Sequence, residues 1–144
     1  MNIRRFALFS GIAMLVMGIL SFIPALSQSA ATLPTLKLET SYGMFWGIFP
    51  MNIVNKLALI GFGVAGILAA RAALISAAVN FSRTVAIVMG AFAIFGFIPT
   101  LSTLFGYAPL FGGEIVTHAF FATLGAYFGY AVNVRDDMRT TAQA

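Results

Sequence analysis

From Phe6 to Ile23 the chain carries no charged residue, and comparable uncharged apolar runs recur over 57–70, 84–98 and 115–132. About 20 apolar residues in a helix cross the ~30 Å hydrocarbon core of a bilayer. Backbone in lipid must satisfy its own hydrogen bonds, so a spanning chain is restricted to helices or a closed barrel. Four such runs separated by more polar stretches predict an all-α membrane protein, a four-transmembrane-helix bundle forming one domain over 1–144. Composition points the same way: 8% of residues are charged, against roughly 25% in an ordinary soluble domain. With no cysteine in the chain, disulfides, thiolate chemistry and cysteine-based metal sites are excluded.

The runs are related in pairs. Setting Pro50 against Pro109, 59 positions on, also aligns Gly47 with Gly106, Phe62 with Phe121 and Gly66 with Gly125 without a gap. Phe22-Ile23-Pro24-Ala25-Leu26-Ser27 returns as Phe97-Ile98-Pro99-Thr100-Leu101-Ser102. A helical hairpin used twice explains both matches. Hairpin one is expected at 4–73 and hairpin two at 82–132, with spans at about 6–25, 51–71, 82–98 and 114–132 and a polar tail at 133–144. The stretch between Arg71 and Arg83 reads as the turn joining them, with Asn80 and Ser82 as candidate helix caps. A competing reading makes the N-terminus a secretory leader, with Arg4 and Arg5 as its basic head and Ser29, Ala30 and Ala31 as its cleavage site. The echo of Gly18–Ser27 in Ala93–Ser102, deep in the chain, favours a structural role.

Charge sets the orientation. Arg4, Arg5, Arg71, Arg83, Arg135 and Arg139 fall at one end of the expected spans, and Lys37 and Lys56 at the other. The positive-inside rule then places both termini in the cytoplasm. The two copies would cross with the same polarity, related by an axis along the membrane normal, with spans two and four near the centre. A net charge of +4 spread around apolar spans makes no nucleic-acid surface.

Chemistry is sparse. Glu114 and the single histidine, His118, stand four apart and share a helix face. Near the start of span two, Asn52, Asn55 and Lys56 also share a side, and the repeat matches Asn55 to Glu114 and Leu59 to His118. These five polar residues form the expected intramembrane cluster, with Lys56 either reaching the interface or pairing with Glu114. The simplest reading is a structural pair across the bundle. The alternatives are haem or chlorophyll-type pigment ligation by His118, or proton and ion handling. One histidine and one glutamate do not close a metal site, so no metal or cofactor is expected by default. The chain has no HExxH, Walker loop or GxSxG, which points away from an enzyme. Asp136 and Asp137 read as a solvated tail, and the seven methionines as core filling.

Packing and interface residues complete the picture. Gly61, Ala65 and Ala69 recur every fourth residue as a small-residue ridge, and Gly125 with Gly129 makes a GxxxG pair, both suited to close helix approach. Tyr42, Trp46, Phe49 and Tyr107 are the expected headgroup-level aromatics. Residues 27–49 are expected to end in a short amphipathic turn along the membrane surface. Bound lipids, and a protein partner or a second copy of the chain, are the expected company.

A span ending in Phe-Ile-Pro, an aromatic loop leading to Gly47-Ile48-Phe49-Pro50-Met51-Asn52, a helix bearing Gly63-Val64-Ala65-Gly66, and an acidic residue four before His118 together form a pattern. From about Arg4 to Tyr130 it resembles the bacterial four-helix membrane proteins grouped as domain of unknown function 4383. The resemblance implies a bacterial inner membrane and the four-span architecture, and supplies no activity. It also implies a histidine in the second span, where this chain has Asn55 and Leu59. Together these readings predict a non-enzymatic integral membrane protein, an accessory or structural subunit of a larger complex or homo-oligomer, the alternative being a cofactor- or proton-handling protein using His118 and Glu114.

Overall fold

A computed structural model describes residues 1–132. Four helices dominate it: α1 (Ile3–Leu20), α2 (Ile53–Arg71), α3 (Ile75–Phe97) and α4 (Gly113–Ala126), the last continuing as a π-helical turn over Tyr127–Ala131. Three of them, α1, α2 and α3, are long and apolar enough to cross a membrane. Between α1 and α2 the chain forms three short strands, β1 (Ser27–Gln28), β2 (Gly43–Phe45) and β3 (Phe49–Met51), in one antiparallel sheet of order β1-β2-β3. Arg135, Asp136, Asp137 and Arg139 lie outside the described residues.

The helices form two antiparallel pairs, and each pair is closed by glycine. A Cβ on Gly66 would sit 2.8 Å from Ala7 O and from Gly11 Cα, and a Cβ on Gly125 would sit 2.8 Å from Ser82 O and Ala86 N. Ala7 and Gly11 lie 75 positions before Ser82 and Ala86, the offset of the Phe-Ile-Pro match, so both pairs place corresponding backbone against corresponding glycines. The loops agree. Trp46 and Gly47 have φ of 51° and 69°, and their counterparts Phe105 and Gly106 have 58° and 93°. Ile23 N–H donates to Leu20 O at 3.0 Å, as Ile98 N–H does to Phe95 O. The left-handed region is costly for residues with a side chain, and its recurrence at Trp46 and Phe105 shows one turn geometry built twice.

The core joins the pairs through α1 and α3. Ile3, Phe6 and Met14 of α1 meet Val79, Phe81, Val85 and Met89 of α3, and Phe6 stacks on Phe128 with centroids 4.8 Å apart. The expectation that spans two and four are central changes for span two: about 39% of α1 and of α3 is buried, against 17% of α2. The physical reason is that α2 turns its Gly63 and Gly66 face to α1 and leaves Leu57, Gly61, Val64, Ala65 and Leu68 exposed.

Three further expectations change. The stretch 75–83 is helix instead of turn, because Ser82 Oγ donates to Ala78 O at 2.8 Å and Arg83 Nε to Gly129 O at 2.8 Å. Side chains that hide their polarity against helix carbonyls end no helix. Asn80 and Ser82 therefore lie inside α3 and cap nothing. The aromatic end of the 27–49 connection is sheet instead of a surface turn. Gly43, Met44 and Phe45 alternate buried, half-buried and buried, the period of two that suits a strand, and the turn after Phe45 reverses the chain so that Phe45 pairs with Phe49. The fold is accordingly mostly helical with a small sheet, not purely α.

Candidate functional site

At the end of the molecule holding the sheet, loop and helix starts are tied together by asparagine. Asn52 caps α2 in a capping box with Asn55, satisfying donors that a helix start leaves open. Its amide also donates to Leu38 O at 2.8 Å and to Tyr107 O at 2.7 Å, and Asn55 Nδ2 donates to Pro109 O at 3.0 Å. Lys37 N–H donates to Gly106 O at 2.9 Å. The two halves of the repeat thus clasp each other through backbone carbonyls, and both asparagines are spoken for.

Glu114 and His118, one turn apart on α4, are placed differently. Both are buried, with His118 Nε2 3.4 Å from Glu114 Oε2. The Phe92 ring stands edge-on to the imidazole at 5.5 Å. Glu114 Oε1 and His118 Nδ1 have no hydrogen-bonding partner among the described residues. A buried polar atom left unpaired costs about 1–3 kcal/mol, so these two atoms call for a partner, whereas the Asn52 and Asn55 amides have theirs.

Two spaces adjoin the pair. One, of about 90 Å³, is lined by Asn55, Leu59, Phe62, Met89, Phe92 and Leu110 among others, with Glu114 and His118. The other, of about 20 Å³, is lined by Met14, Met17, Met51 and Met89 with Leu59, Glu114, Thr117, His118 and Phe121. Both are smaller than the roughly 150 Å³ apolar cavity known to hold benzene, and each is large enough for a water molecule or a small ion.

Of the expected polar cluster, Asn55, Glu114 and His118 share the larger cavity, and Asn52 is committed to the loop clasp. Lys56 does not pair with Glu114. Its Nζ donates to Ser41 Oγ at 2.7 Å and lies 5.3 Å from the Phe22 ring centroid, because its direction around α2 takes it toward the loop and not toward α4. The Gly61, Ala65, Ala69 ridge is corrected as the seam within the chain: a Cβ on Gly61 would meet nothing within 4 Å and Ala65 is exposed, while Ala69 packs against the core. Close approach to α1 runs instead through Gly63, where a Cβ would fall 2.5 Å from Leu15 N, and Gly66. Gly125 and Gly129 face α3 at Ser82, Ala86 and Arg83.

The rim aromatics divide. Trp46 and Tyr107 are exposed, Trp46 stacked on Phe45 at 4.5 Å and Tyr107 within 5.6 Å of Lys37 Nζ. Phe49 is half-buried in β3, and the Tyr42 hydroxyl donates to Pro34 O at 3.1 Å. Burial, with a smaller contribution from the Glu39 carboxylate, raises the Tyr42 phenol above its ordinary pKa. At the opposite end, Arg4 donates to Ala70 O, Ala72 O and Ala73 O where α2 ends, a favourable place for a cation. Methionine convergence around Glu114 and His118 was missed from sequence, where only the Met14 and Met17 spacing on one helix hinted at it.

Fold and site together define a mostly helical protein with three candidate membrane spans and one buried, incompletely satisfied acid–imidazole pair. The chain belongs to the family described as domain of unknown function 4383, whose family model matches residues 4–131. No curated protein and no solved structure matches it.

Proposed function

We propose that this protein is a four-span protein of the bacterial inner membrane with both termini cytoplasmic, acting without catalysis as an accessory or structural subunit against a larger complex or a second copy. Support for the fourth span is the helical continuation of α4, with 14 α-helical and 5 π-helical residues, about 28 Å at ~1.5 Å per residue. Support for the orientation is that Arg4 and Arg83 meet the ends of α2 and α4, while Lys37 lies by the loop clasp at the far end. The observation that carries the partner reading is the outer face of α2, where Gly61 and Ala65 leave a smooth, unfilled strip of the kind helices use to approach in lipid. Lipid chains complete the surroundings, with the apolar crevice of about 200 Å³ between Phe9, Ala13, Phe120 and Leu124 as one acyl-chain position.

The chain lacks cysteine, so Gly61→Cys or Ala65→Cys introduces a unique crosslinking position. In native membranes either variant is expected to crosslink to a discrete protein species or to a second copy. Reaction only with lipid-phase reagents at both positions would end the partner reading.

A second reading is favoured by the unpartnered Glu114 Oε1 and His118 Nδ1: the pair receives a small ion or a proton. Infrared difference spectra should show a carboxyl band that responds to pH and is absent in Glu114→Gln. A silent carboxyl region contradicts it.

A further inference from the structure

Four of the seven methionines meet at one point. Met14 and Met17 of α1, Met51 of β3 and Met89 of α3 line the same small cavity as Glu114 and His118 of α4. Its volume of about 20 Å³ holds one small occupant, since a single water needs roughly 10–15 Å³ measured this way. We infer that this cavity is a site for one soft monovalent cation of the copper(I) or silver(I) class, bound by methionine thioethers and the His118 imidazole beside the Glu114 carboxylate. The inference rests on the second reading above and names the ion.

Donor chemistry selects this class. Thioether sulfur is a soft ligand that favours copper(I), and imidazole nitrogen also suits copper, whereas calcium takes 6–8 oxygens and magnesium a near-ideal octahedron of them. Among the described residues, the only side-chain oxygens lining this cavity belong to Glu114 and Thr117, and Thr117 Oγ1 is engaged with Gly113 O at 3.1 Å. Charge selects it as well. Among the described residues, an ionised Glu114 has no lysine or arginine paired with it, Lys56 Nζ being bound to Ser41 Oγ. A single positive charge among neutral thioethers cancels the carboxylate, which an apolar setting strongly favours over an isolated anion. Binding forms metal–sulfur and metal–nitrogen bonds with no change of oxidation state. The unpartnered His118 Nδ1 and Glu114 Oε1 are the atoms such an ion, or else one water, would satisfy.

Core filling is the competing explanation for the methionines, and leucine separates the two. Leucine replaces methionine with little change of volume and cannot ligate. The full-length protein in detergent, titrated with silver(I) as a redox-inert probe by calorimetry, is expected to bind one ion per chain. Met14→Leu and Met89→Leu should each weaken binding at least about tenfold, with Met44→Leu, outside the cavity, leaving it unchanged. X-ray absorption on the silver(I) complex should show sulfur in the first coordination sphere. Absence of saturable binding, or binding that survives both cavity leucines, overturns the inference. If silver(I) fails to bind while the Glu114 carboxyl band still follows pH, only the ion assignment falls and the pair holds water or a proton. If that band is also silent, the second reading falls with it.

Discussion

Hairpin one and hairpin two are built on the same close contacts and differ in what they carry. In each, a glycine of the second helix meets backbone four residues apart on the first, at Ala7 and Gly11 for Gly66 and at Ser82 and Ala86 for Gly125. In each, an aromatic residue followed by glycine turns the loop through positive φ. The polar positions diverge. Asn55 of the first copy spends its amide on Pro109 O, whereas Glu114, its counterpart, keeps one oxygen unpaired beside a histidine that replaces Leu59. The difference teaches that packing lives in backbone proximity, which either copy tolerates, while the buried acid–imidazole pair sits in one copy alone.

The largest effect should come from filling the shared seam. Gly66→Leu and Gly125→Leu each push a side chain into backbone that cannot retreat, and about 3 kcal/mol or more of stability should be lost. Gly61→Leu, facing open space, should change stability by no more than about 0.5 kcal/mol. Unequal losses at Gly66 and Gly125, measured by unfolding in mixed micelles, would break the equivalence of the copies. Next comes the clasp. Asn52→Ala removes a helix cap and two hydrogen bonds to Leu38 and Tyr107, about 3 kcal/mol at roughly 1 kcal/mol each. Hydrogen exchange should show the loops around Lys37 and Gly106 losing protection first. The smallest is electrostatic. Tyr42 should ionise at a higher pH than an exposed tyrosine, and Glu39→Gln should bring its absorbance titration only part of the way back, since burial is the greater cause. A full return would make the carboxylate dominant.

Much of the helical character was legible because uncharged runs in a chain this poor in charge have one physical outlet. The family pattern was legible through the proline, glycine and asparagine positions that the loop turns require. Other features were hidden for identifiable reasons. A period-four count along α2 selects Gly61 and Ala65, but the face turned to α1 follows the three-residue step from Gly63 to Gly66. Arg83 and Ser82 looked like turn residues because a sequence does not show that Gly129 O and Ala78 O receive them. Similar depth in the repeat suggested that Lys56 would find Glu114, yet equal height on two helices says nothing of direction around them. Methionines from three separate elements converge only after folding.

The distinction between the copies is tested most directly by writing the first into the second. In Glu114→Asn with His118→Leu, the site residues of hairpin two become those of hairpin one. Because hairpin one holds Asn55 and Leu59 at these positions, the free energy of unfolding should fall by no more than about 1 kcal/mol. A loss of several kcal/mol would show that Glu114 and His118 hold the fold together, and would contradict their assignment as a site.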